Sequence, residues 1–146
     1  MDMTTVTAEC RLPLPGVDVW ERIGGFADIA AWHPGVLETT LEDGYRVRRN
    51  RLAAGGESVE RLFDRDNAVR RYAYDVVEGP LPAASVGTLG VDAGPNDDSI
   101  VRWAIDVEAN GMTGSDAEAL EADLRRFLQE GLDALARYVG EGIEST

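Results

Sequence analysis

The sequence contains no lysine; all 14 of its basic side chains are arginine. A Schiff base through a lysine amine is therefore excluded, as is a phosphate loop of the GxxxxGK type. Cysteine occurs once, as Cys10, so no disulfide can close within the chain. Histidine also occurs once, as His33, and a structural zinc site of the usual Cys/His kind lacks ligands. No apolar run approaches the roughly 20 residues that span a bilayer. The opening "MDMTTVTAEC" has neither the basic nor the apolar region of a signal peptide. We therefore expect a cytoplasmic protein with no membrane insertion, no metal and no bound cofactor.

Positive charge is scarce overall. The formal net charge is −13 over 146 residues. Nucleic acid and anionic membranes repel such a surface, so no nucleic-acid partner is expected. The plainer consequence of the charge is solubility. The length suits one domain, residues 1–146, with a sizeable core.

The pattern along the chain changes period twice. "TTVTAECRL" alternates and reads as a first strand. In "PLPGVDVWERIGGFADIAAW", Val17, Trp20 and Ile23 recur at helical spacing, and Pro15 suits a helix start. Gly24 and Gly25 break that helix. A second short helix carries Phe26, Ile29 and Ala30, and Pro34 stops it by forcing His33 out of the helical region. From Val36 the period is two. "VLETTLED", "YRVRRNRLA", "ESVERLFDRD", "VRRYAYDVVEG", "ASVGTLGVDA" and "SIVRWAIDVEA" read as six strands. The turns between them carry Asp43-Gly44, Gly55-Gly56, Asp66-Asn67 and "GPNDD". Gaps this short predict an antiparallel meander.

The last segment is a long amphipathic helix. Ser115 and Glu118 are spaced as a capping box. Leu120, Leu124, Phe127, Leu128, Leu132, Leu135 and Val139 make one apolar stripe. Gly131 interrupts it and costs up to about 1 kcal/mol relative to alanine, so something needs that space. The fold class is α+β: a seven-stranded antiparallel sheet wrapped around the C-terminal helix, with two short helices between strands 1 and 2.

This order of elements resembles the Bet v 1-like superfamily, also called START or SRPBCC, and within it the polyketide cyclase/dehydrase-like group of bacteria. The residues that carry the resemblance are "VWERIGGFADIAAWHP", "VERLFDRDNAVRRYAY", "EGPLPA", the "VRW" of the seventh strand and "GLDAL". The resemblance implies a helix-grip fold with a deep cavity between sheet and helix. It also implies a hydrophobic or polyketide-like small-molecule ligand, taken up by a carrier, a sensor or a cyclase. Fold does not fix chemistry here, so catalysis stays open.

Strand parity proposes the cavity wall. Tyr72, Tyr74 and Val76 share one face; Val101, Trp103, Ile105 and Val107 share another. For "ESVERLFD" parity is ambiguous, and the resemblance favours Ser58 and Glu60 inward. Val86 and Thr88 are expected inward on the next strand, with Trp32, Phe127 and Gly131 closing the cavity. Loops 52–56 and 79–83 are expected at its mouth. Aromatic residues such as Trp20, Phe26 and Trp103 serve a core equally well.

Glu60, His33 and Tyr72 are the candidate catalytic groups. A carboxylate facing an apolar cavity is prepared for proton transfer unless it is paired. Arg46 or Arg48 of the adjacent strand would supply such a pair. His33 admits three readings: a metal ligand, for which partners are lacking, a packing and capping residue at the helix–strand junction, or an acid/base or hydrogen-bonding group in the cavity wall. The oligomeric state is open between monomer and homodimer.

Overall fold

The computed structural model describes residues 3–81, 85–108, 112 and 114–144. Strand β1 (Met3–Leu12) is followed by helices α1 (Gly16–Ile23) and α2 (Ile29–Trp32). Then come β2 (Val36–Glu42), β3 (Val47–Leu52), β4 (Glu57–Asp66), β5 (Arg71–Glu78), β6 (Val86–Ala93), β7 (Ser99–Glu108) and helix α3 (Gly114–Glu144). The strands form one antiparallel sheet in the order β1-β7-β6-β5-β4-β3-β2. The two short helices therefore carry the chain from one edge of the sheet to the other. Among the described residues no helix is long and apolar enough to cross a membrane.

The boundaries follow from local chemistry. α1 starts after Pro15 and stops at Gly24, whose N–H bonds the Trp20 carbonyl at 2.7 Å. Its buried face is Gly16, Val19, Trp20 and Ile23. Val17 lies on the opposite side, 58% exposed, because the stripe runs through positions 16, 19, 20 and 23 instead. α2 ends where Pro34 requires, with His33 extended at φ −96°, ψ 117°. The turn at residues 43–45 uses positive φ at Asp43, Gly44 and Tyr45. The turn after β4 is held by Asp66, whose Oδ1 accepts from the N–H of Ala68. α3 begins at Gly114, one residue ahead of the expected cap, so Ser115 lies in its first turn. The loop at 79–83 is described only to residue 81; Pro82 and Ala83 lie outside the described residues.

α3 packs its stripe onto the concave side of the sheet. Leu124, Leu128, Leu132, Leu135 and Val139 are buried, and Leu120 and Phe127 are partly so. Each fully buried aliphatic side chain contributes about 1.5–3 kcal/mol. Facing them are Val6, Ala8 and Leu12 of β1 and Val101, Trp103, Ile105 and Val107 of β7. On β5 the inward face is Tyr72, Tyr74 and Val76, as their alternation predicts.

β6 reverses one expectation. Its inward residues are Gly87, Leu89 and Val91, not Val86 and Thr88. Residues paired across a ladder share a face. Leu89 pairs with Tyr72 and Trp103, and Gly87 pairs with Tyr74. Thr88 pairs with Ala73 and Ala104 on the convex side, and Val86 lies with Asp75 and Asp106. Gly87 is required at its position, because a β-carbon there would run into the Tyr74 ring.

Candidate functional site

The centre of the interior is Arg48. β3 alternates so that Arg48 and Asn50 turn inward, while Arg49 bonds Glu42 and Glu57 on the outside. Arg48 has no solvent exposure at all. A lone guanidinium so placed would cost several kcal/mol. It is compensated on three sides. Its Nε donates to Glu60 Oε1 at 2.7 Å. Its Nη1 donates to the Phe26 carbonyl at 3.0 Å and to the Tyr72 hydroxyl at 3.2 Å. The ring faces of Phe26 and Tyr74 lie 4.2 and 4.7 Å from its carbon centre.

Glu60 does face inward, with Ser58, as the resemblance implies; the alternation puts Arg61 outside, bonded to Asp75. Glu60 is not a lone carboxylate, however. Oε1 accepts from Arg48 and from Asn50 Nδ2 at 3.2 Å, and Oε2 accepts from Ser58 Oγ at 3.0 Å. The paired alternative is the one realised.

Around Arg48 the donors outnumber the acceptors. Arg48 Nη2 is buried and has no hydrogen-bond partner. The Tyr72 oxygen accepts from Arg48, and the Tyr74 oxygen accepts from Trp103 Nε1 at 3.0 Å. Each hydroxyl therefore keeps its own O–H to donate. Burial, reinforced by the Glu60 charge, drives the Tyr74 hydroxyl far above its ordinary pKa, so it stays protonated. Among the described residues these three donors have no acceptor.

A second cluster lies towards α3. Gly35 N–H donates to His33 Nδ1 at 2.9 Å, which leaves Nε2 carrying the proton; Nε2 lies 2.8 Å from the Phe127 carbonyl and donates to it. The imidazole stacks on Phe127 at 4.1 Å and meets Trp103 edge-on at 5.7 Å. Burial lowers the His33 pKa below 6.5; the Phe127 carbonyl and Glu130 oppose this only in part. Both ring nitrogens are thus engaged and the ring is packed between Phe127 and Trp103.

The same cluster explains Gly131. A β-carbon there would lie 2.7 Å from His33 Nε2 and 3.1 Å from Trp103 Cζ3. The space that Gly131 leaves is taken by the His33 imidazole. Trp32 closes the cluster at 5.6 Å from Trp103, with its indole N–H unpartnered. Trp103 joins the two clusters, touching His33 on one side and Tyr74 on the other.

Among the described residues, the side chains of the two clusters pack into the region where the cavity is expected. Between β1, β7 and the start of α3 only about 10 Å³ is free. A depression of about 590 Å³ lies along the solvent face of α3, lined by charged residues including Glu118, Arg125 and Asp133, away from both clusters. Of the expected wall residues, Ser58, Glu60, Tyr72, Tyr74, Trp103, His33, Trp32, Phe127 and Gly131 converge; Val86 and Thr88 do not. The residue at the centre, Arg48, was expected only as a structural partner. Its inward parity on β3, opposite Glu60 on β4, was the available signal.

A seven-stranded antiparallel sheet closed around a long C-terminal helix, with two short helices after the first strand, is the helix-grip fold of the START or SRPBCC superfamily. Residues 3–140 match the family described as "Polyketide cyclase / dehydrase and lipid transport", and the chain belongs to that family. Among solved structures it resembles a Bacillus thuringiensis protein at 25% identity and a TM-score of 0.83, over 93% of this chain and 98% of that one. It is similar to the protein XoxI of Bacillus cereus at 28% identity and a TM-score of 0.80, over 95% and 96%. The Zhui aromatase/cyclase of Streptomyces sp. R1128 shares the fold at 22% identity and a TM-score of 0.80, over 97% and 96%. No curated protein matches the chain in sequence.

Proposed function

We propose that the chain binds a hydrophobic, aromatic or polyketide-like small molecule between the sheet and α3, with one oxygen of that molecule seated at Arg48. The observation that carries this is the surplus of donors: Arg48 Nη2 and the hydroxyls of Tyr72 and Tyr74, in an aromatic interior, have no acceptor among the described residues. An unpaired buried donor costs about 1–3 kcal/mol, and a ligand carbonyl or phenol oxygen recovers that cost on binding. The surrounding rings suit a flat, apolar body. Retention, as in a carrier or sensor, is the role this geometry supports best, because Glu60 and His33 are both fully hydrogen-bonded.

One observation favours a second role in cyclisation or dehydration by proton transfer. The donors that would hold a carbonyl oxygen would also stabilise an enolate formed from it. Glu60 would then take the proton after giving up a bond to Arg48 or Ser58, with Tyr72 or Tyr74 holding the oxygen.

Native mass spectrometry with a hydroxyanthraquinone and with anthracene tests the binding. A one-to-one adduct is expected with the first and not with the second. Equal behaviour of the two compounds, bound or unbound, would overturn the assignment of Arg48 as the anchor. Cyclase action is read separately, as ring-closed product from a linear poly-β-ketone.

A further inference from the structure

The indole of Trp103 spans the two clusters, and an unpartnered donor stands near each of its ends. At one end its Nε1 donates to the Tyr74 hydroxyl at 3.0 Å, and the Tyr74 ring lies 4.7 Å from the carbon centre of Arg48, whose Nη2 has no acceptor. Cζ3, at the opposite end of the same indole, lies against Gly131, where the His33 imidazole is lodged. Trp32 belongs to that side, with ring centroids 5.6 Å from Trp103 and 5.8 Å from His33. It is buried, 4% exposed, and its Nε1 also has no acceptor among the described residues. The other two tryptophans differ: Trp20 donates to Asn67 at 3.0 Å and Trp103 to Tyr74. An indole nitrogen can only donate, and the rings around Trp32 offer its N–H no more than a weak contact with a π face.

We propose that Trp32 Nε1 is a second anchor for the bound molecule, which carries acceptor oxygens at both ends of a flat body, one at Arg48 and the other at Trp32. The proposal rests on the binding reading given above and narrows it to one class of ligand. That class is an extended aromatic or poly-β-ketone oxygenated at both ends, as opposed to a lipid whose oxygens all lie at one end. A body held at Arg48 and laid along Trp103 brings its far end to the α3 side. The polar groups of His33 there are already used, Nδ1 by the Gly35 N–H and Nε2 by the Phe127 carbonyl. An oxygen at the far end therefore gains the Trp32 N–H without breaking another bond, and an apolar end leaves that N–H as it was.

The test uses the full chain and two probes with one ring skeleton: a monohydroxyanthracene, and the dihydroxyanthracene with its hydroxyls on opposite end rings. Fluorescence titration gives the affinities. The second probe is expected to bind roughly five- to tenfold more tightly, beyond the twofold that two equivalent ends give by symmetry. In Trp32→Phe, which keeps an aromatic ring and loses the N–H, the difference should fall to that symmetry factor with the affinity of the first probe retained. By NMR the three tryptophans give three indole N–H signals, and the one missing from Trp32→Phe belongs to Trp32. If that variant does not fold, proximity to the single histidine ring assigns the signal in the wild type. It should move downfield with the dihydroxy probe and not with the monohydroxy probe.

Equal affinities in the wild type, after the symmetry factor, overturn the second anchor. So does a preference that survives in Trp32→Phe, or a Trp32 signal that responds alike to both probes. Any of these results beside a one-to-one adduct with the hydroxyanthraquinone leaves the binding at Arg48 standing. Failure of all three compounds to bind overturns both.

Discussion

A β-carbon on Gly131 would stand 2.7 Å from His33 Nε2, closer than any real contact allows. The two residues are 98 positions apart, and the missing side chain of one makes room for the ring of the other. A glycine in the fifth helical turn of α3 and the single histidine at the α2–β2 junction are one structural device.

Gly131→Ala should therefore destabilise the protein. Helix propensity alone would favour alanine by about 0.5–1 kcal/mol. Forcing the imidazole and the Trp103 ring aside costs about 1–3 kcal/mol. A fall in Tm of a few degrees is expected, and Gly131→Phe should fall further. A rise in Tm for the alanine variant would contradict the close contact.

Glu60→Leu and Arg48→Met should each cost about 3–5 kcal/mol, because either one leaves an unpaired buried charge. The double variant should recover most of that loss, since two apolar side chains of similar volume replace a pair that needs desolvation. Chemical denaturation of the four proteins in a cycle measures the coupling. Single effects that simply add would show that the 2.7 Å pair carries no energy.

Tyr74→Phe removes the acceptor of the Trp103 indole N–H. A buried donor left without a partner costs about 1–3 kcal/mol. Tyr72→Phe removes an acceptor from Arg48, whose Nη1 keeps the Phe26 carbonyl, so a smaller loss is expected. Both variants should weaken hydroxyanthraquinone binding, because each deletes a spare hydroxyl donor. Unchanged binding in both would remove the tyrosines from the site.

The pH dependence of stability should carry a His33 component of defined sign. Its folded pKa lies below 6.5, so the folded state binds the proton less readily than the unfolded chain does. The stability from the neutral ring is fully present above about 6.5 and is lost as pH falls towards the folded value. Subtracting the His33→Gln profile from the wild-type profile isolates it from the carboxylates. A difference that is flat between pH 7 and pH 5 would rule it out.

The strand faces of β5 and β7 could be read from alternation because large residues mark one side: Tyr72, Tyr74 and Val76, then Trp103, Ile105 and Val107. β6 could not be read so directly. Its inward set begins with Gly87, which has no side chain to signal a face, and its outward set includes the apolar Val86. Leu89 and Val91 held the correct phase. Pro34 located the end of α2 to the residue, because its restriction on His33 is steric and local. Arg48 was hidden for the opposite reason. "RVRRNR" reads as a charged, solvated strand, and nothing in one strand reveals that Glu60 and three aromatic rings converge on its second arginine. The close approach at Gly131 also depends on a residue 98 positions away, so the sequence revealed a need for space there but not its occupant.

The strand order has a kinetic consequence. β1 pairs with β7 from Met3 opposite Glu108 to Leu12 opposite Ser99, so the first strand made is completed by the last. At a synthesis rate of roughly 5–20 residues per second, β1 leaves the ribosome about 5–20 s before its partner strand exists. Until then Val6, Ala8 and Leu12 have no sheet to join. Pairing of such distant segments belongs to the slow, high-contact-order end of folding, and a chain arrested before β7 would leave β6 as an unpaired, aggregation-prone edge and β1 without a partner.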